Sequence, residues 1–243
     1  MEGLIAGGLA VFIGAFVQGC LGFGFGMIAL PILLLFFAAT TIVPLIGMLG
    51  MINTTYMLYR CRHDVRPRLV LGLSAGAAVG LPIGVAVLKT LDGPPIKIFV
   101  GVLMIVLALI LLSGWQRPVK RLRWAVPGAG FLSGFLGGST SVADPPLILF
   151  LANQATPKNE FRATMVAYFT LMAVYALVVF YLNKLVTRDV MQIWLQFAPV
   201  MVLGTLAGVQ IGDRIQEALF RRLVMICAAL LGALLVVVNA LQL

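Results

Sequence analysis

Apolar residues run along this chain in long unbroken blocks, without the strict alternation of a half-buried strand. The blocks cover residues 3–38, 41–59, 69–88, 96–113, 124–152, 164–182, 190–212 and 223–241, separated by charged turns or by Gly/Pro clusters. About 20 apolar residues carry a helix across a hydrocarbon layer of about 30 Å, so six of these eight blocks read as single transmembrane helices. Segments 3–38 and 124–152 are too long for one crossing and are interrupted. The first carries Gly19, Gly22, Gly24 and Gly26; the second carries Gly134, Gly137 and Gly138, followed by Pro145 and Pro146. Gly and Pro break helices, so each long segment is predicted to form two half-length helices joined by irregular backbone.

The basic residues distinguish two ways of threading those segments. If each enters and leaves on one face, loops 60–68, 114–123, 153–163 and 213–222 share a side and hold 13 of the 17 Lys and Arg. If each crosses once, the split is 10 to 7. Basic loops stay in the cytoplasm, which favours the hairpin threading, with both termini outside.

The chain also repeats itself. An offset of 115 places Gly19 on Gly134, Gly22 on Gly137 and Pro31 on Pro146, and an offset of 128 places Gly76, Gly80 and Gly84 on Gly204, Gly208 and Gly212. The expected architecture is a single all-α, polytopic membrane domain over 1–243, built from two repeats, 1–118 and 119–243. Each repeat is a broken, re-entrant first helix plus three transmembrane helices. Three net crossings per half make the repeats inverted, an arrangement of secondary transporters that bind substrate between the halves. The four-residue glycine spacing allows close helix approach in lipid, or a sliding face.

Composition narrows the class. Of 243 residues, 62% are hydrophobic and 10% charged, far from the roughly 45–50% and 25% of soluble domains. In such a chain the net charge of +9 reports orientation and headgroup contact, not nucleic-acid binding. Cys20, Cys61 and Cys227 form no C-x-x-C pair and have one histidine, His63, for company; no metal site, disulfide framework or cofactor is expected. The N-terminus lacks a basic n-region, and the first apolar run is expected to be retained.

The segment Gln18-Gly19-Cys20-Leu21-Gly22-Phe23-Gly24-Phe25-Gly26 is followed by Pro31 and a leucine run. Its echo in the second half is Ser133-Gly134-Phe135-Leu136-Gly137-Gly138-Ser139, followed by Pro145-Pro146-Leu147. With the paired glycine helices, this pattern resembles the sulfite exporter TauE/SafE family over nearly the whole chain. Ser139-Thr140-Ser141 and Asp144 stand where that family's second cluster is expected to hold glycine or apolar residues. The resemblance implies transport of small sulfur-containing anions, such as sulfite or organosulfonates, across the cytoplasmic (inner) membrane.

Irregular backbone at membrane depth must be buried or line water. A half-helix starting near Gly24–Gly26, or near 141–144, would offer free N–H groups and a positive dipole end to an anion. Gly22, Gly24, Gly26, Gly137 and Gly138 would let the anion reach the backbone, and Ser139, Thr140 and Ser141 would donate hydroxyl hydrogen bonds. Equally, these glycines turn the chain and the hydroxyls cap it. Gln18, Asn53 and Thr54 are further lining candidates, as are Tyr168 and Thr170 at mid-span; alternatively they bond neighbouring helices. Asp144 is a carboxylate inside a span, functional by default: a proton-coupling group, an N-cap before two prolines, or a residue of an aqueous vestibule.

The leading function is therefore a secondary transporter or permease for a small anion. Its partners are that anion and the lipid bilayer; proton coupling and oligomerisation are open, and nucleic acid is not expected. The alternatives are a cation transporter using Asp144 and loop carbonyls, and a non-transporting membrane subunit. Motifs of an intramembrane enzyme, or of a nucleotide-binding loop, do not occur.

Overall fold

The structure, a computed structural model, describes residues 2–91, 93–113, 122–154, 156–212 and 216–241. All regular structure among these residues is helical. The first half contains α1 (Glu2–Leu21), α2 (Phe25–Phe36), α3 (Ala39–Cys61), α4 (Pro67–Thr90) and α5 (Pro94–Leu112). The second contains α6 (Leu122–Thr140), α7 (Asp144–Ala152), α8 (Lys158–Leu182), α9 (Arg188–Gly212) and α10 (Glu217–Ala240). Among the described residues, seven helices are long and apolar enough to cross a membrane. The boundary expected at 118/119 and most of loop 114–123 lie outside the described residues.

The two long segments break as expected in number but not in proportion. The glycine-rich stretch 19–26 does not interrupt the helix at Gly19, which stays helical, so α1 reaches 20 residues, about 30 Å. The short α2, 12 residues, then runs back along it. A side chain at Gly14 would meet Phe25, one at Gly7 would meet Leu33, and one at Gly3 would meet Phe36. Thus α2 begins part-way along α1 and returns to the end where α1 began. In the second half Gly134, Gly137 and Gly138 also remain helical, and the break falls at residues 141–143, before the nine-residue α7. Each unit is one full-length helix plus one short helix, rather than two halves.

Glycine stripes set the tightest packing. On α4, a Cβ at Gly76, Gly80 or Gly84 would run into the carbonyl oxygen of Pro127, Phe131 or Phe135 on α6. On α9, Gly204, Gly208 and Gly212 stand in the same way against Phe12, Phe16 and Cys20 of α1. These pairs correspond one to one under the offsets of 115 and 128. Without Cβ atoms the backbones pack directly, which is how helices gain van der Waals contact where lipid removes the hydrophobic drive. Burial follows the offset of 128: Leu73 and Leu81 on α4 are buried, and so are their equivalents Met201 and Val209 on α9.

Two polar contacts fix which connections share an end of the bundle. Arg66 forms an ion pair with Glu160, joining the α3–α4 turn to the start of α8. At the other end Lys89 Nζ donates to Asn183 Oδ1, 3.3 Å away, joining α4 to the α8–α9 turn. A segment 124–152 that crossed once would put the members of both pairs at opposite ends.

Candidate functional site

The breaks in the two halves meet. Gly22 and Gly24 have φ of 87° and 101°, a region closed to most side chains, and they turn the chain from α1 into α2. Ser141, at φ 55°, does the same between α6 and α7 without being glycine. Its hydroxyl donates to the Val43 carbonyl of α3 at 2.6 Å, which offsets part of that backbone cost. A Cβ at Gly26 would lie 2.8 Å from the Ser141 carbonyl oxygen, so α2 approaches the second break backbone to backbone. Two short helices thus present their N-termini, the positive dipole ends, to the same region.

Asp144 lies between them. The residue is 7% exposed, and its carboxylate accepts the backbone N–H of Gly24 at 3.0 Å. Ala143, not Asp144, occupies the N-cap position of α7, and no side chain caps that helix. Asp144 therefore caps the short helix of the other half, not its own. Among the described residues it forms no ion pair.

Beside this junction is a cavity of about 100 Å³, room for several waters or one small oxyanion. Its polar lining comes from Gln18, Thr54, Ser133, Ser141, Asp144 and Tyr168. The Tyr168 hydroxyl donates to Ser133 Oγ at 3.0 Å, and Ser133 donates in turn to the Ala143 carbonyl at 2.7 Å. Gln18 Oε1 is buried without a hydrogen-bond partner, an arrangement that a bound ligand or water would relieve. Along α8 the wall continues through Phe169, Met172, Ala173, Ala176 and Phe180, toward the end where Asn183 bonds Lys89. Among its lining residues there is no Lys, Arg or His.

Of the residues singled out in the sequence, Gln18, Gly26, Thr54, Gly134, Gly137, Ser141, Asp144 and Tyr168 line the cavity. The others stand outside its wall. Gly22 and Gly24 form the turn, and Gly138 packs against the Leu81 carbonyl of α4. The hydroxyls of Ser139 and Thr140 donate to the carbonyls of Phe135 and Leu136 in their own helix. Asn53 donates to the Ala15 carbonyl at 3.4 Å, while its Oδ1 is buried without a partner. Ser133 joins the wall without having been a candidate; its signal is its equivalence to Gln18 under the 115 offset. Arg162, in sequence only one more basic loop residue, points inward. Its Nη2 donates to the Gly19 carbonyl at 2.7 Å.

Membrane-length helices around two short helices that meet tip to tip beside a polar-lined cavity define a multi-pass membrane transporter. The chain belongs to the sulfite exporter TauE/SafE family, whose sequence model matches residues 7–235. No curated protein and no solved structure matches it significantly.

Proposed function

We propose that the protein is a secondary transporter that moves a small anion, sulfite or a short organosulfonate, across the cytoplasmic membrane. The observation that carries this reading is the convergence of the α2 and α7 N-termini on one cavity. N–H groups and dipole ends hold an anion without a fixed lysine or arginine in the membrane, so the anion can leave again. The hydroxyls of Thr54, Ser133, Ser141 and Tyr168 donate to Met51, Ala143, Val43 and Ser133 in this state and would serve the anion by exchanging those partners, and the apolar α8 wall suits the short carbon chain of a sulfonate. Family membership supports a sulfur oxyanion.

Asp144 shapes the mechanism. Its carboxylate holds the Gly24 N–H that an incoming anion would use, and two negative charges so close in a dry site repel strongly. Anion entry therefore goes with a proton on Asp144, or with withdrawal of its side chain. The two halves act as inverted repeats, with 1–118 and 119–243 as the moving units.

The same carboxylate favours a second reading, a cation carrier using Asp144 and nearby carbonyls. One carboxylate is a thin ligand set for a divalent ion. Purified protein in liposomes, tested against sulfite, methanesulfonate, acetate, sodium and divalent cations, separates the two. Saturable movement of sulfite or the sulfonate is expected. Saturable movement of a cation with none of the anions would replace the anion reading.

A further inference from the structure

The cavity occupies only half of a path. Its walls extend from the junction toward the Lys89–Asn183 end, whereas on the side of Arg66 and Glu160 the way is filled. There Phe23, 1% exposed, stands edge-on to Phe161. A small buried cluster of Met57, Val166 and Val209 is separate from the main core; Cys61 packs against it, and Leu58 packs against both.

The offsets relate the filled side to the open one. Adding 115 to Met57, Leu58 and Cys61 gives Met172, Ala173 and Ala176, three residues of the α8 wall. Adding 128 converts Leu81, which lines the cavity, into Val209. Four of the five residues of this cluster are thus equivalents of residues that wall the open side. The packed cluster coincides with the offset of 115 carried from residues 19–31 onward into α3 and α8, as expected if one set parts when the other closes.

One position breaks the equivalence. Gly47 of the open wall corresponds to Arg162. The Arg162 side chain lies over Gly22, where a Cβ would be 2.9 Å from its Cγ, and it bonds the Gly19 carbonyl. Among the described residues it has no carboxylate partner. The open side therefore offers the substrate a glycine, and the closed side a guanidinium held only by a carbonyl.

We infer that a second access route opens between α3, α8 and α9, where Met57, Leu58, Cys61 and Val209 now pack, and that Arg162 receives the substrate anion on it. On opening, Arg162 exchanges the Gly19 carbonyl for the anion, with which it forms charge-assisted hydrogen bonds. The anion meets a full positive charge inside this route, whereas the residues lining the other include none, so the two faces differ in affinity. The inference rests on the anion-transport reading.

The test uses the full chain with its three cysteines replaced, in liposomes. Ala176→Trp fills the open half, and Leu58→Cys or Val209→Cys reports on the closed half through its rate of modification by N-ethylmaleimide. The Ala176→Trp side chain keeps that half from closing, so the rate at these cysteines should fall about tenfold or more, by shifting the population toward the state in which the Arg66–Glu160 side is packed. Ala173→Cys should stay reactive in the same background, which shows that the protein is folded. Unchanged rates at both reporter cysteines overturn the route.

Independently, Arg162→Gln should raise KM about tenfold or more for sulfite presented at the face of loops 60–68, as expected for a lost charge-assisted bond. KM at the opposite face should hold, and Arg162→Lys should recover part of the loss. An equal rise at both faces, or none, overturns the role of Arg162. A parent protein that moves no anion, with the cysteine result intact, removes the substrate reading and leaves the route standing. Anion transport with unchanged cysteine rates does the reverse.

Discussion

Asp144 shows how one side chain serves both halves of the protein. Sequence places it before two prolines, where an aspartate ordinarily caps its own helix; in the fold it reaches across to the Gly24 N–H instead. That partner is 120 residues away in the chain, so no local pattern could have identified it. Asp144→Asn keeps an oxygen acceptor for Gly24 and removes a negative charge from the anion's neighbourhood. Anion binding should persist in this variant, while accumulation driven by a pH gradient is lost. The two quantities are measured together, by equilibrium binding and by uptake into liposomes with an imposed gradient; unchanged pH-driven uptake would remove the coupling role.

At the scale of helices, most of the fold was legible, because block length alone marks a crossing helix. The breaks were harder to place, since glycine serves two purposes here. Gly22 and Gly24 turn the chain with positive φ, whereas Gly19, Gly134 and Gly138 remain helical and admit a neighbouring backbone. Composition cannot separate these uses; only the partner helix does. The stripe on α4 yields a direct expectation. At Gly80 an added Cβ meets the Phe131 carbonyl and lies 2.9 Å from the Phe135 nitrogen, atoms that cannot swing aside. Gly80→Val should cost about 3 kcal/mol or more, at the upper end for overpacking, and lower the temperature at which the solubilised protein aggregates. Gly128→Ala, with nothing within 4 Å of the new Cβ, should match the parent or exceed it through better helix propensity. The two variants, heated in parallel and followed by size-exclusion chromatography, test whether the stripe acts through contact.

For the whole molecule, charge distribution and geometry bear on different parts of one question. The ion pair between Arg66 and Glu160 and the bond between Lys89 and Asn183 fix which connections lie at the same end. They carry no information on which end faces the cytoplasm. The basic residues supply that direction, because loops rich in Lys and Arg resist translocation. The expected orientation puts loops 60–68, 114–123, 153–163 and 213–222 inside and both termini outside. Parity and orientation can fail separately, so each has its own measurement. Arg66→Cys with Glu160→Cys, in a chain otherwise free of cysteine, should cross-link through a short bifunctional maleimide, and absence of the link would break the parity. Single cysteines in the four basic loops should react with an impermeant maleimide only when the cytoplasmic face is exposed. Cross-linking at 66 and 160 combined with labelling of all four loops from outside would keep the hairpin threading and invert the protein. The route past Arg162 would then open to the exterior, and anions would meet the guanidinium on their way in.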